Sequence, residues 1–165
     1  MDDTRFDTEQ VFTLNHYYYF FPEDMLPEQI EREVAVIWKI LDLRPGMEVL
    51  DLACGNGRIA NFLATRGCLV TGLDLIPAFL EQANQRAVAG NLTATYYAGD
   101  LRALPWTNRF DCIVNWMSAY GYFADEENRQ VLSEAYRTLK PGGKLLLELN
   151  NPRDTQRVSE KGENA

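Results

Sequence analysis

Strand-like and helix-like patterns alternate through the middle of the chain. Short apolar runs predict buried strands, and most are followed by apolar residues at helical spacing. Such alternation predicts an α/β fold, with a parallel sheet covered by helices on both faces. The predicted strands are 48–52, 69–73, 93–97, 110–116 and 144–149, and the predicted helices are 28–41, 57–65, 77–88 and 127–139.

Three aspartates fall at the ends of three successive predicted strands. They are Asp51, Asp74 and Asp100. Because parallel strands open on the same edge of a sheet, all three should line the crevice in which α/β proteins bind ligands. Gly55 and Gly57, just after Asp51, allow a sharp turn and a close approach of backbone to ligand. The sequence therefore predicts a ligand site at this edge.

The glycine loop leaves two kinds of ligand open. Residues 55–60 (GNGRIA) also match a dinucleotide-binding pattern, with Asp74 at roughly the distance expected of a ribose-binding acid. Asp51 counts against a dinucleotide, because a pyrophosphate on the helix N-terminus would meet an extra carboxylate. The negative charge of Asp51 would instead favour a ligand that carries an ammonium and a sulfonium. An NAD-dependent oxidoreductase is thus the less favoured alternative.

Composition narrows the class of protein. The 165 residues fit one domain, 46% of them are hydrophobic, and the formal charge is −8. A net negative charge does not predict the basic surface that binding to nucleic acid or to an anionic membrane requires. Three cysteines without C-x-x-C spacing predict reduced thiols, a cytoplasmic location and no zinc site. We find neither a signal peptide nor an apolar run of membrane-spanning length.

Five motifs in fixed order carry a family resemblance. They occupy residues 49–57 (VLDLACGNG), 71–75 (TGLDL), 98–101 (AGDL), 110–115 (FDCIVN) and 139–144 (LKPGGK). Together they resemble the class I S-adenosylmethionine-dependent methyltransferases, small-molecule type, across about residues 17–150. The resemblance implies a Rossmann-like doubly wound sheet of about five parallel strands. It also implies S-adenosylmethionine as cofactor and an enzyme that methylates a small molecule by in-line displacement.

The resemblance assigns a role to residues at the methionine end of the cofactor. Asp51 would face the ammonium group, and Ala53, Gly55 and Gly57 would bring backbone against the methionine moiety. Ala53 stands where the family commonly has its first glycine, and we expect it to do little harm. Arg58 would either contact the methionine carboxylate or be a solvated helix residue.

The adenosine end is assigned in the same way. Asp74 would accept hydrogen bonds from both ribose hydroxyls, which suits an ionised carboxylate. Leu75 would pack on the adenine, Asp100 would accept from its amine, and Leu101 would lie beside the ring. Asn115 would contribute backbone near the amino-acid part of the cofactor.

Aromatic segments are the candidates for the acceptor side. Tyr19 belongs to an N-terminal aromatic cluster that the family places over the cofactor, where an aromatic face would stabilise a cation. His16 and Tyr17 are weak catalytic candidates, and packing roles are the alternative for both. Residues 115–123, after the fourth strand, would face the acceptor or pack under the next helix. They lack the N-P-P-Y type motif of enzymes that methylate DNA bases, which again argues against a nucleic-acid substrate.

The ends of the chain predict a three-part organisation. Residues 1–27 would form an aromatic cap, residues 28–150 the cofactor-binding domain, and residues 151–165 a polar tail. We expect the C-terminal hairpin that completes the family's sheet to be absent, which would leave one edge of the fifth strand without its usual neighbour. We therefore expect either a homodimer through this edge or a truncated domain. The alternative function is a non-catalytic or partner-dependent module that binds S-adenosylmethionine.

Overall fold

The chain forms a five-stranded parallel sheet with helices on both faces. The computed structural model describes residues 27–117 and 119–149. The strands are β1 (Glu48–Leu52), β2 (Leu69–Asp74), β3 (Ala94–Ala98), β4 (Phe110–Asn115) and β5 (Leu139–Leu147). The helices are α1 (Pro27–Leu41), α2 (Arg58–Thr65), α3 (Pro77–Ala89) and α4 (Asp125–Thr138). The strand order β3-β2-β1-β4-β5, with every neighbouring pair parallel, confirms the predicted Rossmann-like sheet.

Alternate side chains of β1 explain why helices cover both faces. Successive residues of a strand point to opposite faces of the sheet. Val49 packs in a core cluster with residues of α1 and α2, such as Ile37 and Leu63. Leu50 packs in a second cluster with Val131 of α4. Both faces of β1 are therefore buried, which is typical of a strand inside a parallel sheet.

The fifth strand starts earlier than the sequence predicts. The Lys-Pro-Gly-Gly composition of residues 140–143 is typical of a turn, and the sequence predicts a strand only at 144–149, but β5 already begins at Leu139. Phe110 pairs with Leu139 and Cys112 pairs with Lys144, so the register shifts where the Pro-Gly-Gly segment lies. A bulge of this kind places extra residues within the strand without ending its pairing. The turn residues therefore form an irregular part of β5.

Two features bear on the predicted domains and location. Residues 1–26 and 150–165 lie outside the described residues, so the aromatic cap and the polar tail stay predictions. In the part of the chain that the structure describes, no helix is long and apolar enough to cross a membrane.

Candidate functional site

A pocket lies at the carboxyl edge of the sheet, where the loops after β1, β2, β3 and β4 meet. Nineteen residues line it: Asp51, Ala53, Cys54, Gly55, Arg58, Ile59, Asp74, Leu75, Ile76, Phe79, Gly99, Asp100, Leu101, Arg102, Trp116, Met117, Ala119, Tyr122 and Phe123. The three aspartates predicted at the strand ends thus share one pocket. This arrangement follows from the parallel order of β1, β2 and β3.

The glycine loop reverses direction through left-handed backbone. Ala53, Gly55 and Gly57 have φ values of 57°, 52° and 74°. For Ala53 this conformation costs roughly 1–2 kcal/mol, because its Cβ crowds the backbone. Alanine was expected to do little harm at this position, but its backbone there is strained. Ala53 and Gly55 line the pocket, and their contact with the methionine moiety stays a prediction.

Gly57 lies at a closely packed junction of three elements. It does not line the pocket. A Cβ at this position would lie 2.6 Å from Ala83 Cβ and 2.7 Å from the Tyr96 hydroxyl oxygen. Glycine is thus required for close packing of the start of α2 against α3 and β3.

Asp74 is held by backbone groups of two different loops. Gly55 N–H donates to its Oδ2 at 2.8 Å, and Ile76 N–H donates to its Oδ1 at 2.9 Å. Burial raises the pKa of Asp74 above its ordinary value, while the N–H groups of Ile76, Gly55 and Leu75 oppose the rise. A carboxylate oxygen can accept more than one hydrogen bond, so the Asp74 side chain is held by these two donors and can still accept hydrogen bonds from hydroxyl groups.

Asp51 is the most deeply buried carboxylate of the pocket. Its side chain is 2% exposed, and its Oδ2 has no hydrogen-bond partner. Burial raises the pKa of Asp51 from 3.8 to about 7. The charge of Arg58 and a hydrogen bond from the Ala60 N–H oppose this rise, whereas the charge of Asp74 adds to it. A buried carboxylate oxygen without a partner is unfavourable unless a ligand supplies a donor.

Arg58 is buried rather than solvated. Its Nη1 donates to Glu33 Oε2 at 2.6 Å, whereas its Nη2 is buried without a partner. The solvated alternative for Arg58 is therefore wrong. Asp51 and Arg58 together offer one unmatched acceptor and one unmatched donor at the same pocket. The ammonium and carboxylate of a methionine moiety are the complementary groups, so the residues present fit S-adenosylmethionine.

Asp100 is already engaged by a neighbouring arginine. Arg102 donates from Nε and Nη2 to the Asp100 carboxylate, with a shortest distance of 2.6 Å, and from its backbone N–H at 2.8 Å. These side-chain hydrogen bonds lower the pKa of Asp100, although its burial opposes them. Arg102 also pairs with Glu127 and lies over the Phe123 ring at 4.5 Å. Asp100 thus anchors this wall of the pocket as well as facing it.

Apolar side chains form the rest of the lining. Leu75 and Leu101 are among them, and Trp116, Tyr122 and Phe123 come from the predicted acceptor segment. Burial raises the pKa of Tyr122, and the charge of Asp74 adds to the rise. Sequence reasoning missed six contributors, for which only their positions within eight residues of a strand-end aspartate gave a signal: Cys54, Ile59, Ile76, Phe79, Gly99 and Arg102.

Asn115 braces the pocket from behind. It is 2% exposed and does not line the pocket. Its Nδ2 donates to Leu52 O at 2.9 Å, its Oδ1 accepts from Tyr120 N–H at 2.9 Å, and its carbonyl accepts from Glu148 N–H. Its carbonyl oxygen is thus engaged by the residue that follows β5, and the contact of its backbone with the cofactor stays a prediction.

Three residues of the N-terminal aromatic cluster were assigned roles from the sequence alone. His16, Tyr17 and Tyr19 lie outside the described residues, so their assigned roles stay predictions. Among the described residues, no group of three or more His, Cys, Asp or Glu side chains is arranged to hold a metal ion.

Comparison with known proteins places this site in a family. A family model described as a methyltransferase domain matches residues 49–143. A putative methyltransferase of Geobacillus sp. is 35% identical over 104 residues, and the demethylmenaquinone methyltransferase of Thermus thermophilus is 38% identical over 104 residues. These matches cover 62% and 60% of this chain, but only 42% and 45% of the two relatives.

A solved structure extends the likeness to the fold. The PH0226 protein of Pyrococcus horikoshii superposes with a TM-score of 0.74 at 27% identity, and the match covers 88% of this chain and 66% of that one. The match to the family model includes the glycine loop and the loops that carry Asp74 and Asp100. This chain therefore belongs to the methyltransferase-domain family, the class I S-adenosylmethionine-dependent methyltransferases.

Proposed function

We propose that this chain binds S-adenosylmethionine and transfers its methyl group to a small-molecule acceptor by in-line displacement. The observation that carries the proposal is the pair of unmatched buried atoms, Asp51 Oδ2 and Arg58 Nη2, in the pocket of a methyltransferase-domain chain. An ammonium and a carboxylate on one ligand would satisfy both atoms.

The remaining cofactor contacts follow from the same pocket. Asp74, already oriented by two backbone donors, would bind the ribose hydroxyls. Leu75 and Leu101 would pack on the adenine, and Asp100 would accept from its amine. Ala53 and Gly55 would bring backbone against the methionine moiety. These roles are proposals that rest on the resemblance and on the residues' common pocket.

Methyl transfer from a sulfonium depends more on the alignment of the acceptor with the methyl group than on proton transfer. When bound, the cofactor supplies an activated methyl group on a sulfonium. The chain would hold the acceptor in line with that group and exclude water. Trp116, Tyr122 and Phe123 form an aromatic wall suited to a partly apolar acceptor. A base is needed only if the acceptor must lose a proton, and His16 and Tyr17 remain the proposed candidates for that step.

Two experiments test the function at different levels. Calorimetric titration with S-adenosylmethionine, S-adenosylhomocysteine and NAD should show binding of the first two and none of NAD. Binding of NAD alone would overturn the proposal in favour of an oxidoreductase. A screen with methyl-labelled cofactor against small amines, hydroxyls and carboxylates then separates an enzyme from a module that only binds the cofactor.

Assembly and location are further proposals. β5 is an edge strand of the described sheet, and a second copy of the chain could pair with it. Sedimentation equilibrium tests this homodimer, and a monomer at all concentrations would contradict it. The three free, buried cysteines support a reducing, cytoplasmic environment.

A further inference from the structure

One side chain outside the pocket lining joins three segments at the methionine end of the site. Glu33 lies on α1, and its Oε2 accepts hydrogen bonds from Arg58 Nη1 at 2.6 Å and from Trp116 Nε1 at 3.1 Å. Arg58 begins α2, and Trp116 follows β4 in the segment that we assign to the acceptor. Glu33 thus connects the cofactor side of the pocket to its acceptor side.

The pairing leaves one half of the guanidinium available. Nη1 of Arg58 is bound to Glu33, while Nη2 is buried without a partner on a side chain that lines the pocket. A guanidinium is planar and rigid, so fixing one nitrogen fixes the direction of the other. The side chains of Arg58 and Glu33 are only 8% and 21% exposed, which limits their freedom to take other orientations.

We infer that Glu33 is a positioning residue, which directs Arg58 to the carboxylate of the cofactor and fixes the Trp116 indole at the acceptor wall. This inference rests on the proposed function. Charges would then alternate along the site: Glu33, Arg58, the ligand carboxylate, the ligand ammonium and Asp51. Glu33 itself touches neither cofactor nor acceptor.

The test compares two ligands that differ in one group. Decarboxylated S-adenosylmethionine keeps the sulfonium and the amine but lacks the carboxylate. The wild-type chain should bind S-adenosylmethionine more tightly than the decarboxylated form, by about tenfold or more, the scale of a hydrogen bond between charged groups. In Glu33→Gln this preference should fall to within about threefold, because only the carboxylate contact depends on the orientation of Arg58.

Controls separate positioning from loss of structure. Glu31→Gln changes an exposed carboxylate on the same helix and should keep the wild-type preference. In an Arg58→Lys background, Glu33→Gln should change the preference no further. If Glu33→Gln does not fold, Glu33→Asp keeps the charge on a shorter side chain and should lower the preference in the same way.

The outcomes distinguish this inference from the proposed function. Equal weakening of both ligands in Glu33→Gln, or an unchanged preference, would overturn the positioning role. A wild-type chain that binds both ligands equally would also overturn it and leave cofactor binding intact. A wild-type chain that binds neither ligand would overturn the proposed function itself.

Discussion

Gly55 and Asp74 are joined by a hydrogen bond of 2.8 Å from the glycine backbone N–H to the aspartate Oδ2. The bond ties the loop after β1 to the end of β2, across 19 residues of sequence. The proposed methionine and ribose sites are therefore positioned by the same contact. A carboxylate fixed before the ligand arrives loses little freedom on binding.

Replacement of Asp74 should weaken cofactor binding. Asp74→Ala removes the proposed ribose acceptor, and we expect a loss of about 1.5–3 kcal/mol in binding free energy, the scale of hydrogen bonds to a charged group. Calorimetric titration with S-adenosylhomocysteine measures the change. Glu81→Ala, on the exposed side of α3, is the control and should bind as the wild type does. Unchanged affinity in Asp74→Ala would mean that the ribose is held elsewhere.

Asp51 should make the ligand-free protein less stable as the pH rises. Its folded-state pKa is raised from 3.8 to about 7, so between these values the folded chain holds a proton that the unfolded chain has released. This contribution to stability is fully present below pH 3.8 and is lost as the pH rises through 7. At pH 8 the folded protein therefore contains a buried, ionised and incompletely paired carboxylate.

The variant that tests this pH dependence is Asp51→Asn, whose side chain at position 51 is uncharged at every pH. At pH 8 we expect it to raise the free energy of unfolding of the ligand-free protein by about 1–3 kcal/mol, because the amide that replaces the buried carboxylate carries no charge. At pH 5 the difference should shrink, because the wild-type side chain is then protonated. Urea denaturation at the two pH values measures both effects. A larger gain at pH 5 than at pH 8 would contradict the raised pKa.

Cofactor binding should release a proton from Asp51. A ligand ammonium favours the ionised carboxylate, so at pH 7 binding should release about half a proton, given a pKa of about 7 in the free protein. Affinity should accordingly rise between pH 6 and pH 7. Calorimetry of S-adenosylhomocysteine binding in buffers of different ionisation heat measures the proton count. Asp51→Asn should bind more weakly and release none; the same release in the variant would assign the proton to another group.

Replacement of Ala53 by glycine should increase the stability of the folded protein. Ala53→Gly relieves a left-handed strain of about 1–2 kcal/mol and adds an unfolded-state entropy cost of about 0.5–1 kcal/mol. We therefore expect a net gain in unfolding free energy of about 0–1.5 kcal/mol. Ala35→Gly, at an exposed position inside α1, should instead lose about 1 kcal/mol. Denaturant titration of both variants provides the comparison, and a loss in Ala53→Gly would contradict the strain argument.

The sequence by itself determined the elements and the edge of the sheet that carries the site. Apolar runs and helical spacing are local patterns, and they placed β1 at its observed bounds and Asp51, Asp74 and Asp100 at one edge. Parallel strands bring their carboxyl ends together whatever the details of packing, so this inference needed no tertiary contact.

Only the tertiary structure decided which neighbours each side chain meets. Arg58 pairs with Glu33 across 25 residues, Asn115 donates to Leu52 across 63, and Gly57 packs against Ala83. These contacts depend on how helices pack on the sheet, and spacing within one element does not encode that packing. The same packing buries Asp51 Oδ2 and Arg58 Nη2 without partners, and the proposed selection of a ligand with both charges rests on those two atoms.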